Sequence, residues 1–341
     1  MAAVTEPTAA TEPTAATEPN AATQPAPATQ PTALADGAKA PPPRASIPAR
    51  YPIRASFLRP ARDGAILACV ALAAAHFLGA VQIGVDAHAY WASDPLAPYG
   101  ASRPAQFDAY FYSPAFSQAL WPLHGLPWPW FAAIWTLLLA SALVWQAGMW
   151  TAVALLLVPV FADLTVGNIH LLMGAAILIG FRYPAAWAFV LLTKVTPGIG
   201  LVWFAVRREW RALAVALGAT AAIAAVSFVI APRAWFEWIS ILRTGSTFPE
   251  PVWTLDFVPL GVRLITAVAI VVWGARTDRP WTVATAATLA LPVLWVNGLA
   301  TLVAVIPLMR ALGPTPASRF LAAARLPTSG RPQTTLGGDG R

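Results

Sequence analysis

Charge is what this chain has least of. Only 11% of its 341 residues are Asp, Glu, Lys or Arg, while 57% are hydrophobic and the mean hydropathy is +0.60. An ordinary soluble domain carries about 25% charged residues. A surface this poor in charge cannot face water, so the chain is expected to be an all-α, polytopic membrane protein. Cysteine is nearly absent as well: the lone Cys69 excludes an intramolecular disulfide and a cysteine-rich metal site. The four histidines show no paired spacing of the HExxH kind, so neither a metal nor another cofactor is expected. Negative charge is scarcer than positive, 15 residues against 22. The resulting net charge of +7 resembles a nucleic-acid signal until it is mapped. The arginines crowd the chain ends and flank apolar runs, where they report membrane orientation, so no nucleic-acid partner is expected.

What is present divides the chain. Residues 1–45 repeat Thr, Pro and Ala without an apolar face and are expected to be disordered. A basic juxtamembrane segment covers 46–63, the membrane-embedded part covers 64–310, and a basic tail covers 311–341. The positive-inside rule puts both basic segments in the cytoplasm. A first span over about 64–83 then runs outward and ends at "GVDAHAYW". An aromatic, Pro-broken stretch up to about 130 reads as interfacial helix. Spans over about 130–147 and 149–163 and the segment 169–181 lead to Arg182. Only about 24 residues separate Arg182 from "RREWR", room for one full crossing, which would put "RREWR" outside against the positive-inside rule. The segment between them therefore reads as two half-helices meeting at "TKVTPG", a broken backbone that must be buried in protein or line a cavity. Spans at about 212–231 and 257–274 follow, then a last apolar region, 281–309, interrupted at Pro292 and Asn297. The total is eight to ten membrane or re-entrant segments of a multi-pass plasma-membrane protein.

Acidic residues in the embedded part are few. Asp86 stands at the outer mouth of the first span, where it could be a helix N-cap or a reactive carboxylate. Asp94 precedes Pro95 and reads as a turn former; Asp108 lies among aromatics. His88 is two residues from Asp86, a spacing that does not bring side chains together on a helix. Asn168 and His170 in "GNIH" could bind substrate or join helices through hydrogen bonds. Lys194 is the most informative: an ammonium at membrane depth costs at least about 2.5–3.5 kcal/mol, so it either meets an anion or snorkels to the interface. Arg263 lies six residues into its span, and Arg233 and Arg243 flank the outer loop.

An outer acid, then "YFYSPAFSQALWPL", "GNIHLL" and "TKVTPG" ahead of "RREWR", resembles glycosyltransferase family 87 over about residues 60–310. The resemblance implies a GT-C-like bundle and transfer of a hexose, mannose above all, from a polyprenyl-phosphate sugar to a lipid or glycan acceptor at the outer face. It implies Asp86 as catalytic base and matches Lys194 to the lysine of the family's "KPxP" turn, with Val195 in place of the first proline and Pro197 keeping the second. The family's Trp-x-His element is represented by Trp295 with Asn297 in the histidine's place. Tyr90 and Trp91 would desolvate Asp86 and raise its pKa, as a general base requires. The phosphate needs cationic help, for which Lys194, Arg263, Arg243 and Arg233 are candidates. His88, Tyr90, Trp91, Asn168, His170, Trp295 and Asn297 are pocket candidates. A transporter or flippase for a lipid-linked sugar is the alternative; it would also use buried cations and broken helices, but usually between repeated halves, and no repeat is apparent.

Overall fold

The computed structural model describes residues 58–80, 84–100, 108–244 and 254–310. The Thr/Pro/Ala repeat, most of the basic juxtamembrane segment, Arg103, the Pro-rich half of the second outer loop and the tail lie outside the described residues. Among those described, the only β pairing is an isolated bridge between Thr254 and Trp295. The helices are α1 (Leu58–Phe77), α2 (Val85–Ala92), α3 (Pro114–Ala119), α4 (Trp121–His124), α5 (Trp128–Ala147), α6 (Thr151–Leu155), α7 (Val158–Val166) and α8 (His170–Gly180). They continue with α9 (Trp187–Thr193), α10 (Val202–Val206), α11 (Trp210–Ile230), α12 (Pro232–Thr244), α13 (Leu260–Thr277), α14 (Trp281–Leu289) and α15 (Val305–Arg310). The chain is an all-α polytopic membrane protein.

Among the described residues, three helical runs are long and apolar enough to cross a membrane: Trp128–Leu155, Trp210–Ile230 and Leu260–Thr277. A fourth exists if α7 and α8, bent by 105° at their junction, count as one. The remaining segments are shorter than the sequence suggests. α1 starts at Leu58, ahead of the apolar run, and stops at Phe77, where Gly79 takes φ 68°. The span expected over 149–163 is divided between α6 and α7. Leu157 is extended there, and Pro159 in the first turn of α7 has no N–H to continue a helix from α6. The last apolar region breaks as expected, but its second half opens as a nine-residue 3-10 helix, Val296–Ala304. Runs of that type longer than four residues are uncommon.

Two breaks position the site. Between α7 and α8, Gly167 takes φ 74°, and a Cβ there would stand 2.6 Å from the Cβ of Ala87 on α2. Only glycine allows both the backbone conformation and this approach. The indole N–H of Trp135 on α5 donates to the Gly167 carbonyl at 2.8 Å and fixes the break. The second break falls at Lys194, whose backbone is extended between α9 and the 3-10 turn Thr196–Leu201. Thirteen residues of straight helix would separate Trp187 from Gly200 by about 20 Å. Instead, a Cβ on Gly200 would overlap the Trp187 ring, and one on Gly198 would overlap Leu191. The two halves fold back on each other, as the spacing of Arg182 and "RREWR" predicts.

Candidate functional site

α2 presents Asp86 and Tyr90 on one face, because residues four apart are neighbours on a helix. The Asn168 amide, held at the α7–α8 break, donates to Asp86 Oδ2 at 2.6 Å. Its oxygen accepts the Ile169 N–H at 2.7 Å and a long 3.4 Å bond from the Tyr112 hydroxyl. Tyr90 and Tyr112 share a hydroxyl bond of 2.9 Å. Burial pushes the Asp86 carboxyl above the ordinary carboxylate pKa, while the Asn168 hydrogen bond and the Lys194 charge pull it back. The residue as a whole is half-buried.

Lys194 approaches the same place from the second break. Its Nζ lies 2.9 Å from His170 Nε2, and His170 Nδ1 lies 2.9 Å from Asp163 Oδ1. Asp163 Oδ2 accepts the Leu171 N–H at 3.1 Å. His170 and Asp163 side chains are both 0% exposed. The ammonium sits 5.9 Å from the centre of the Tyr112 ring, and its charge reaches Asp86 without closing an ion pair. Among the described residues, its only hydrogen bond is to His170. Sequence reasoning missed Asp163. The signal was there: a carboxylate inside the apolar run "VPVFADLTV" is expensive in a membrane and marks function by default. It also missed Ser113 and Thr196, whose buried hydroxyls have no partner among the described residues. Both precede a proline at the start of a helical turn, and Ser113 is tied to α9 by its N–H bond to the Leu192 carbonyl.

The other candidates lie elsewhere. His88 turns away from Asp86 and pairs with Asp108 at 2.5 Å, its ring edge-on to Trp91 and Trp128. Trp91 donates to the Leu126 carbonyl at 2.8 Å, so of the two aromatics expected to desolvate Asp86 only Tyr90 shares its face. Asp94 forms a turn, accepting the Leu96 N–H at 2.8 Å. Arg263 has no donor left for phosphate: Val258, Leu289, Leu291 and Pro292 carbonyls and the Asp256 carboxylate take all five N–H groups. It staples α13 to the turn after α14. Arg233 is 92% exposed and pairs with Glu237 one turn on; Arg243 is exposed at the end of the same helix, α12. Trp295 caps the long 3-10 helix and Asn297 lies within it, half-buried, with no hydrogen bond to the cluster. That helix still reaches the site, since Gly298 packs beside His170 Nε2 and Thr301 Oγ1 donates weakly to the His170 carbonyl. Among the described residues no group of three or more His, Cys, Asp and Glu could hold a metal ion.

The arrangement is one carboxylate and one ammonium with spare donors, converging where two helices break. Comparison with protein families matches residues 110–326, more than half of the chain, to glycosyltransferase family 87. No curated protein and no solved structure matches. The match begins at Tyr110, so Asp86 precedes it, and hydrogen bonds to Tyr112, Leu126 and Asn168 tie α2 into the matched region. The chain belongs to glycosyltransferase family 87 and is a multi-pass membrane glycosyltransferase.

Proposed function

We propose that this member of glycosyltransferase family 87 moves a hexose, mannose in our reading, from a polyprenyl-phosphate sugar to a lipid or glycan acceptor. The reaction takes place at the outer face of the plasma membrane, in a bundle of GT-C type. The observation that carries this reading is the bond of Asp86 to Asn168 within the electrostatic reach of Lys194, a carboxylate and a cation brought near each other in a chain poor in charge.

Asp86 removes the acceptor hydroxyl proton as that oxygen attacks the anomeric carbon. The bond from the anomeric carbon to the phosphate oxygen breaks, and its electron pair leaves with the polyprenyl phosphate. The leaving group is a stable anion, so no second carboxylate has to protonate it, unlike the two-carboxylate arrangement of most glycoside hydrolases. Asp163 could not serve in that role, since both its oxygens are occupied and fully buried. Lys194 supplies the free N–H donors on which phosphate charge can settle, and fixed charge in a water-poor site stabilises a transition state strongly. Asn168 holds the base in place, and Tyr90 shields it. Arg263, Arg233 and Arg243 have no part in this reading.

The purified protein, given labelled polyprenyl-phosphate mannose or glucose with a membrane acceptor extract, should transfer label from the mannosyl donor. Transfer from a nucleotide sugar alone, or no transfer from any polyprenyl donor, contradicts the proposal.

A further inference from the structure

Asp163 and His170 are buried and ionisable, and no step above uses them. Their contacts run in one line from Asp163 through His170 to Lys194. An ammonium can only donate, so when Lys194 is charged His170 Nε2 must accept from it. A neutral imidazole has one N–H, which then resides on Nδ1 and points at Asp163 Oδ1. Asp163 accepts from the ring on one oxygen and from the Leu171 N–H on the other, as an ionised carboxylate does. Every bond has a donor and an acceptor in this polarity. The cluster also balances a carboxylate in a 0% exposed site against the Lys194 charge, where an unpaired charge would be costly.

We propose that Asp163 is a positioning residue for sugar transfer: acting through His170, it fixes the imidazole as Nδ1–H and so holds the Lys194 ammonium toward Asp86 and the donor phosphate. The proposal rests on the reading that Lys194 meets that phosphate. Asp163 also holds the first turn of α8 through Leu171, and a purely structural role would end there. Asp163→Asn separates the two. An Asn oxygen can still accept from Leu171, but its amide would donate to Nδ1 and move the ring proton to Nε2. The imidazole would then oppose the ammonium with an N–H.

Two measurements on the full-length protein decide. With ¹⁵N-labelled histidine and His170→Gln for assignment, the His170 ring should report Nδ1–H in the wild type and Nε2–H in Asp163→Asn. This readout needs no substrate, so it can fail while the transferase reading stands. In turnover, Asp163→Asn should lose at least about tenfold in kcat, and Asp163→Asn combined with Lys194→Met should be no slower than Lys194→Met alone. An Nε2–H ring in the wild type overturns the proposal even if the variant fails to fold. Losses that multiply in the double variant overturn it too, since they would mean Asp163 acts independently of Lys194.

Discussion

Asp86, the base in our proposal, is under opposed influences: burial raises its pKa, and Asn168 and Lys194 restrain the rise. A base must be ionised, so the rate should climb with pH through that pKa. Removing the restraint in Asn168→Ala should move the acid limb of the kcat/KM profile to higher pH; a limb that stays or moves down would disconnect Asn168 from the base. Arg263 illustrates the opposite fate of a buried charge. Its five hydrogen bonds end mostly on carbonyls near residue 290, freed where α14 stops, so Arg263→Leu should destabilise the protein by on the order of 3 kcal/mol. Donor binding measured on the folded fraction should be unchanged, and a selective loss of donor affinity would restore Arg263 to the site. Depth alone separates Arg263 poorly from Lys194. What separates them is the acceptors each finds, three of which are supplied by a segment 26 or more residues away for Arg263.

The elements that matter are the broken ones. Helix breaks put polar backbone and side chains at depth, and such backbone is tolerated only where protein or a cavity covers it. At the first break, Gly167→Ala would force a left-handed residue to carry a Cβ against Ala87. It should cost about 1–2 kcal/mol from the backbone conformation alone and lower turnover by displacing α2. A variant with wild-type melting and activity would mean that α2 is not held at this notch. At the second break, Lys194→Met should insert normally and impair donor binding or turnover. If Lys194 merely snorkelled, the change would be neutral or stabilising. The second break was legible because Arg182 and "RREWR" both read as cytoplasmic and stood too close for two crossings. The first was expected as the gap between two spans near "TVGN"; what the sequence did not show is that Gly167, besides taking φ 74°, admits α2 from eighty residues upstream.

For the whole molecule, the membrane class was legible in composition alone, since so many apolar residues and so little charge leave no other solvent. Apolar runs interrupted by Pro, Gly or Asp form short helices whose lengths are set by packing, so among the described residues three or four runs are long enough to cross and the other apolar helices are shorter. Our topology puts α2 outside and "RREWR" inside. In a Cys69→Ser background, an impermeant thiol reagent on intact cells should label Val85→Cys, which is exposed, and spare Arg211→Cys; the reverse pattern would invert the bundle. The account as a whole stands on Asp86, which lies upstream of the family-matched region and is joined to it by geometry. The most direct test is single-turnover transfer by Asp86→Asn, with donor binding measured on the same preparation and Asp94→Asn and Asp108→Asn as controls. Asn keeps the shape and cannot take a proton, so transfer should fall at least about a hundredfold with donor still bound and both controls active. Near wild-type transfer by Asp86→Asn would contradict the account.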